Sequence, residues 1–349
     1  MLPTRGRRAR ALAGALLTTL VLLHAAAARA DSPDGGAPAQ PPPADGGAAE
    51  PERPADAPAA RVTVGLYVNG IRGMSLRENQ FEVDFWVWFR WKDEGYSPIE
   101  SFEIIGGQID SREGLVQEDL DGGVHYAAAR VRATITQNFD VSRFPLDDHT
   151  LRVLIEDSEH ENHELVYVPD EANSRLDPTV QVPGWTIGAT RAVVGDHEYR
   201  TNYGDTSLPS NSKSTYSRFE LRIELERQGA GYVLKLFWSL YLATLIALLA
   251  FFIKPTDLDP RFGLGIGAIF AAMASAYVIS TSLPETSQMT VAEKVVMIAI
   301  AFIFLSLVGS TVSLRVFSSG REETSRKIDT GAFRAMLAVY VALNVLVLL

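Results

Sequence analysis

Four apolar runs in the last third of the chain constrain its fold more than any other feature. Three of them, Leu236 to Ile253, Phe262 to Leu283 and Val295 to Leu314, have the length of about 20 residues that a helix needs to cross a bilayer. The fourth, Ala335 to Leu349, is shorter. Backbone polar groups find no water in lipid, so each run must be helical. The sequence predicts four transmembrane helices at about 231–253, 261–283, 291–316 and 331–349.

The basic residues around these runs predict their direction. Lys254 and Arg261 lie between the first two runs, and four more basic residues precede the last run: Arg315, Arg321, Arg326 and Lys327. The loop from Pro284 to Thr290 contains no Lys or Arg. Since basic loops stay on the cytoplasmic side, the chain before the first run is expected outside the cytoplasm.

The N-terminus has the composition of an export signal. Arginines at positions 5, 7, 8 and 10 precede the apolar stretch from Ala11 to Leu23, and an Ala-Arg-Ala cleavage pattern ends at Ala30. Residues 1–30 are therefore predicted to be a signal peptide, with an uncleaved anchor as the alternative. Residues 31–60 are rich in Ala, Pro, Gly and Asp, which predicts a disordered linker.

Residues 61–227 alternate polar and apolar side chains between turn residues. The clearest stretches are Val62–Val68, Gln80–Trp91, Arg130–Thr136 and Phe219–Glu226. A period of two predicts antiparallel strands with one buried face, and many such strands predict a β-sandwich. No convincing helical periodicity occurs in this part of the sequence.

Composition narrows the partners of this predicted domain. The chain has no cysteine, which excludes disulfides and thiolate metal sites. Its net charge is −10, and residues 61–227 hold 29 acidic and 17 basic residues, so a nucleic-acid partner is not expected. Several copies around an axis would form an acidic vestibule that attracts cations, although the same charge also serves solubility.

The second apolar run differs from the others because small residues replace leucine. One stripe of this helix recurs at spacings of three and four, and it comprises Gly263, Gly267, Phe270, Ala274, Tyr277 and Thr281. Small residues allow close helix packing within one bundle. The same stripe of small and polar groups with aromatic constrictions also suits the lining of a pore. The pattern leaves both interpretations open.

Four features together resemble the pentameric ligand-gated ion channels of the Cys-loop receptor superfamily. Residues Phe139 to Asp147 are similar to the family's F-D-x-x-x-F-P-x-D loop, without the flanking cysteines, as in prokaryotic members. Trp91-Lys92-Asp93 resembles the W-x-D motif. Leu283-Pro284, followed by Met289-Thr290, resembles the loop between the second and third helices. The order of signal, β domain and four helices is the fourth feature.

The resemblance implies a homopentamer, with β-sandwich domains outside and four-helix transmembrane bundles around a central pore. The implied partners are further copies of the chain, permeant ions and the lipid bilayer. A prokaryotic member would have its β domain in the periplasm and its helices in the cell inner membrane. The second helix would line the pore, and the register set by Leu283-Pro284 adds Asp259 to the stripe.

That register also implies roles for particular residues. Asp259 falls at the family's inner selectivity ring, with Arg261 just above it, and Phe270 falls at the central hydrophobic gate. Five carboxylates would favour cations, and Asp257 adds another acid nearby. Pro260, however, is more usual in anion-selective members. Alternatively, these residues simply begin a helix.

The resemblance further implies that gating is transmitted at the domain boundary. The residues expected to meet there are Asp140, Phe144, Pro145, Asp147, Arg227 and Pro284. A carboxylate–guanidinium pair of Asp147 and Arg227 would be strong if it is desolvated. The alternative is an ordinary surface ion pair contributing less than about 1 kcal/mol.

Family agonists bind between subunits in an aromatic box, but the sequence does not display a complete box. The candidates are Trp86 and Trp88, which share one face of a predicted strand, and Tyr199 and Tyr203 in the loop before the last strand. Such rings suit an amine ligand. Each of them could equally belong to the core.

A run of acids and histidines follows the Phe-Pro loop. Glu156, Asp157, Glu159 and His160 could supply oxygen ligands for Ca²⁺, which would then modulate the channel. The histidines could instead sense protons, or the segment could be a solvated loop. No other cofactor is expected.

Two other classes of protein are alternatives to a channel. The sequence contains no nucleophile elbow, HExxH, P-loop or GxGxxG motif in the right context, so an enzyme is not expected. A non-conducting membrane sensor or adhesion module with a periplasmic β-sandwich is the alternative. Such a module would not need a small-residue stripe with an acidic inner end.

Overall fold

The computed structural model of the protein describes residues 58–204, 206, 209 and 211–349. The predicted signal peptide and nearly all of the predicted linker lie outside these residues. Within them, strands run from Ala60 to Arg227, and the long helices follow from Gly229. The strands are β1 (Ala60–Ser75), β2 (Gln80–Trp91), β3 (Phe102–Ile104), β4 (Gly107–Leu120), β5 (Val124–Thr136), β6 (His149–Asp157), β7 (Leu165–Pro169), β8 (Arg175–Leu176), β9 (Trp185–Tyr199) and β10 (Ser214–Arg227).

These strands form two sheets, which confirms the predicted β-sandwich. The six-stranded sheet has the order β4-β5-β2-β1-β7, with β8 also paired to β1. The four-stranded sheet has the order β3-β6-β10-β9. Pairing is antiparallel except where β1 meets β7 and β8. A single helical turn, α1 (Pro98–Ser101), precedes β3.

The core between the sheets follows from side-chain alternation. On β2, Phe85 and Phe89 are fully buried, while Trp86 and Trp88 point to the other face and are only partly covered. Phe219 on β10 is likewise fully buried. Successive side chains of a strand point to opposite faces, so this assignment fixes the register of each sheet.

Four long helices complete the chain: α2 (Gly229–Leu249), α3 (Leu258–Ser280), α4 (Val291–Ser318) and α5 (Glu322–Leu348). A short 3-10 turn over Ala250–Phe252 extends α2. Among the described residues, these four helices are long and apolar enough to cross a membrane, as predicted. Helix α5 begins nine residues before its predicted start at 331, because polar turns outside the apolar run continue the helix.

Candidate functional site

Helix α3 has one packed face and one exposed face. Its packed face carries Arg261, Gly265, Ala268, Ala272 and Ile279, all buried against the rest of the chain. The predicted pore stripe lies on the other side: Asp259, Gly263, Gly267, Phe270, Ala274 and Tyr277 are exposed, and Thr281 just beyond the helix is half-buried. Phe270 and Tyr277 are 72% and 70% exposed in the single chain. An apolar helix with such rings uncovered needs a neighbour or a pore on that side.

The glycines of α3 separate packing from exposure. A Cβ atom placed on Gly265 would lie 2.3 Å from a Leu307 methyl carbon, so this glycine lets α3 and α4 approach closely. Gly263 and Gly267 have nothing within 4 Å of the same position. Close packing within the subunit therefore explains Gly265, which lies outside the predicted stripe. It does not explain Gly263 or Gly267.

The inner end of α3 separates its two charges. Asp259 is exposed in the first helical turn, whereas Arg261 is fully buried. The Arg261 guanidinium donates to the backbone oxygen of Ile253 at 2.9 Å and to the Asp329 carboxylate on α5 at 2.5 and 3.2 Å. Arg261 therefore turns away from the face that carries Asp259. Asp257 precedes the helix and makes no side-chain cap hydrogen bond.

An ion pair joins the Phe-Pro loop to the start of α2. Arg227 donates to Asp147 through Nε at 2.7 Å and Nη2 at 3.0 Å, and both side chains are at least nine-tenths buried. His149 contacts the same carboxylate at 2.8 Å. Burial would raise the pKa of Asp147, but hydrogen bonds from His149 and Arg227 outweigh it and lower that pKa. The arrangement is a desolvated bidentate pair rather than a surface contact.

Aromatic rings surround the Arg227 guanidinium in this pair. Its Cζ lies 4.0 Å from the centre of the Trp185 ring, 4.9 Å from Tyr232 and 5.0 Å from Phe144. Cations over ring faces gain further attraction when water is excluded. Sequence reasoning missed Trp185 and Tyr232 because single aromatics in strand and helix patterns usually indicate core packing.

The Phe-Pro loop also holds the start of α4. The backbone oxygens of Ser142 and Phe144 accept hydrogen bonds from the N–H groups of Val291 and Ala292 at 3.2 and 2.9 Å. Helix starts leave such donors without intrahelical partners, so the loop completes the helix. The bond from Phe144 to Pro145 is cis.

Asp140 and Pro284, which were also predicted at the domain boundary, are not part of the buried Asp147–Arg227 pair. Asp140 is exposed and accepts from the Ser142 N–H, which lowers the pKa of Asp140. Pro284 is half-buried in the loop after α3. That end of α3 contacts the β domain through Arg77, which donates to the Thr281 backbone oxygen at 3.3 Å.

Tyrosines gather at the β9–β10 end of the four-stranded sheet. The Tyr199 ring lies 6.5 Å from Tyr203 and 5.7 Å from Tyr216. Its hydroxyl donates to Glu156 at 2.9 Å and accepts from Arg218 at 3.1 Å. Burial, followed by the bond to Glu156, raises the pKa of Tyr199 to about 12. Tyr203 is 69% exposed, and its backbone has a positive φ of 49°.

The two predicted tryptophans are not part of this tyrosine cluster. They lie on β2 of the other sheet, where Trp88 covers Gly65 and donates through Nε1 to Asp170 at 3.1 Å. Trp86 lies against Gly114 of β4. Within one subunit, therefore, the structure brings the tyrosines together but leaves the tryptophans on a separate sheet.

The acidic segment directs its carboxylates to protein partners. Glu156 forms an ion pair with Arg218, and Asp157 accepts from Ser101 at 2.5 Å and contacts His160 at 2.8 Å. The hydrogen bond to Asp157 raises the pKa of His160. Throughout the described part of the chain, no group of three or more His, Asp or Glu side chains is arranged to hold a metal ion. The predicted Ca²⁺ residues, including the neighbouring Glu159, thus do not form an assembled ligand set.

The chain is similar in sequence to an ion channel and to receptor subunits. No protein-family model matches the chain. The chain is 21% identical over 312 residues to the proton-gated ion channel of Gloeobacter violaceus, covering 84% of this chain and 83% of that protein. It is also 21% identical over 296 residues to the gamma-aminobutyric acid receptor subunit rho-1 of Mus musculus, and 23% identical over 276 residues to the Homo sapiens subunit. These alignments cover 78% and 72% of this chain, but only 59% and 55% of the receptor subunits.

Proposed function

The chain is a homologue of the pentameric ligand-gated ion channels, and on this premise we propose that five identical copies form a cation-selective channel. Its relatives are channels and receptor subunits, so it is not an enzyme. Four apolar helices make it a multi-pass membrane protein. The homopentamer, an inner-membrane location and a periplasmic β domain are parts of this proposal.

One observation carries the proposed selectivity: Asp259 is the only charged side chain on the exposed face of α3. The other charge of this helix, Arg261, is buried on the opposite side and paired with Asp329. Five Asp259 carboxylates around an axis would attract cations and repel anions at the inner pore mouth. The net charge of −12 on residues 61–227 supports the same preference by concentrating cations outside. Pro260 carries no charge and therefore does not change the net charge at the inner end of α3.

Substitution of Asp259 tests the selectivity. The full chain and the Asp259→Asn variant would be reconstituted in liposomes, and reversal potentials would be measured in a KCl gradient. We expect the wild type to reverse near the potassium equilibrium potential and the variant to move toward zero. An unchanged reversal potential in conducting Asp259→Asn pentamers would contradict the ring of carboxylates. Asp257→Asn is the matched control for a nearby acid before the helix.

For the ligand, we propose a small organic cation at the tyrosine cluster of Tyr199, Tyr203 and Tyr216. The three rings lie close together, and burial followed by the nearby negative charges of Glu103 and Glu156 raises the pKa of Tyr203. These rings and carboxylates provide the contacts that an ammonium group prefers. Arg218 offsets one of these two negative charges. A neighbouring subunit would close the cluster, because Tyr203 is largely uncovered in the single chain.

A second candidate ligand, the proton, is favoured by the position of Glu103. This residue on β3 lies directly opposite Glu156 on the neighbouring strand β6. Glu103 occupies an exposed position of β3, but partial loss of water around its carboxylate raises its pKa, and the negative charges of Glu156 and Asp157 raise it further. Because the ionised form is disfavoured there, protonation as the pH falls would relieve repulsion beneath the tyrosines. The resulting rearrangement could then open the channel.

Two measurements distinguish these ligands. Currents would be recorded between pH 4 and 8, with and without a panel of small primary and quaternary amines. If amines are the agonists, Tyr203→Ala should reduce their potency, whereas Tyr203→Phe should keep most of it because the ring remains. If protons are the agonists, Glu103→Gln should shift the pH of half-activation. Full retention of both responses in Tyr203→Ala and Glu103→Gln would rule out this cluster as the site.

A further inference from the structure

Arg261 has a contact pattern that the proposed pore does not use. It is the largest of the fully buried side chains among the described residues. Arg261 belongs to α3, and its guanidinium links this helix to two other parts of the chain. It donates to the backbone oxygen of Ile253, after α2, and forms a two-point ion pair with Asp329 of α5. The ring of Phe251 lies 6.0 Å from its Cζ. Burying a charge in this way is costly unless it is paired.

From this arrangement we propose that Asp329 determines ion selectivity without lining the pore. Its carboxylate neutralises Arg261 and holds the guanidinium behind α3, so that Asp259 is the only charge that α3 itself presents at the inner mouth. This inference rests on the proposed cation selectivity and extends it to a residue on α5, the last helix of the chain. Asp329 is thus a positioning residue, because it acts through Arg261.

Helix geometry explains why the pair matters. Residues two apart on a helix face away from each other, and their levels along the axis differ by only about 3 Å. Arg261 therefore lies at nearly the same depth as Asp259, behind a helix about 10 Å wide. At that distance, an unpaired positive charge in a protein interior would offset much of the attraction that Asp259 exerts on a cation. A paired charge would not.

The proposal predicts opposite effects for the two partners. Asp329→Asn leaves Arg261 charged and unpaired, so the cation-to-anion permeability ratio should fall by roughly threefold to tenfold. Arg261→Gln leaves a buried negative charge behind the pore helix, so the ratio should rise. The double variant Arg261→Gln/Asp329→Asn has no net charge change and should restore the wild-type ratio. A purely structural role would not produce shifts of opposite sign.

The experiment measures reversal potentials of full-length pentamers in liposomes under a KCl gradient, after size-exclusion chromatography has confirmed assembly. Glu323→Gln is the matched control, since Glu323 lies on the same helix in an exposed pair with Lys327. This control should leave the potential unchanged. If Asp329→Asn does not assemble, Arg261→Gln and the double variant decide the question.

Two results would overturn the inference. One is an unchanged permeability ratio in both assembled single variants; the other is a shift of the same sign in both. Asp259→Asn separates this failure from failure of the proposed function. If Asp259→Asn abolishes selectivity while Asp329→Asn and Arg261→Gln do not alter it, the acidic ring stands and only the role of Asp329 is wrong.

Discussion

Replacement of Gly265 by alanine tests how α3 is placed in the subunit. The added methyl group would lie 2.3 Å from a Leu307 side-chain carbon and 2.9 Å from another, closer than non-bonded carbons approach. Because Leu307 is held on a long helix, relief requires either an altered Leu307 rotamer or a wider spacing of α3 and α4. Overpacking of this kind typically costs about 1–3 kcal/mol.

The same helix supplies matched controls at Gly263 and Gly267. An added methyl there has nothing within 4 Å in the subunit. All three substitutions gain the same helix propensity, about 1 kcal/mol relative to glycine. That gain cancels when the variants are compared, so Gly265→Ala should be less stable than either control by about 1–3 kcal/mol per subunit.

The assay is thermal unfolding of detergent-purified pentamers followed by size-exclusion chromatography. Gly265→Ala should lose the pentamer peak at a lower temperature than Gly263→Ala and Gly267→Ala. In single-channel recordings, Gly267→Ala should lower the conductance, because its methyl group would narrow the lumen. Equal destabilisation by all three substitutions would refute the placement of Gly263 and Gly267 on a face free of packing.

Three further predictions concern the gate, the domain boundary and the acidic segment. Phe270→Ala should raise the current measured without ligand by about tenfold, equivalent to about 1.4 kcal/mol, because the constriction loses its rings. A ligand-free current equal to that of the wild type would argue against this gate. Arg227→Ala leaves Asp147 buried with one partner fewer and should cost about 3–5 kcal/mol, seen as lost assembly or lost gating, while Arg227→Lys should fall between; a wild-type response from Arg227→Ala would be the contrary result. The pKa of His160 is raised, so its contact with Asp157 stabilises the fold at pH values below the pKa of this histidine in the unfolded chain. The stabilisation is lost as the pH rises through the pKa of His160 in the folded protein. Melting midpoints of the wild type should therefore fall over that pH range, and those of His160→Gln should not.

The strands of the β domain differ in how visible they are in the sequence. Strands such as β2 alternate clearly because one face is buried and the other is not. β4 was not predicted: it is an edge strand, largely exposed on both faces, and its burial imposes no period on the sequence. β9 was missed for the same reason, since its side chains are mostly exposed or half-buried around the edge of the other sheet.

The site shows a similar division. The aromatic character of Trp86, Trp88, Tyr199 and Tyr203 is evident in the sequence, but their distribution over two sheets follows from strand order, which depends on pairings between distant segments. The role of His149 beside Asp147 was also missed. His149 follows the Phe-Pro-Leu-Asp segment by two residues, but this spacing predicts a contact with Asp147 only when the positions of the neighbouring strands are known.

By itself, the sequence determined the four membrane-spanning helices, the β-sandwich and the resemblance to pentameric ligand-gated ion channels, because apolar length, alternation and ordered motifs are properties of contiguous residues. The four apolar runs are helices of about the predicted positions for this reason. Only the tertiary structure decided which side of each helix is covered. Gly265 and Gly267 are the same residue type two positions apart, yet an added Cβ atom would meet Leu307 at Gly265 and no other element of the subunit within 4 Å at Gly267. Likewise, the charge of Arg261 is neutralised by Asp329, 68 residues away in the chain, and no local pattern could have linked the two.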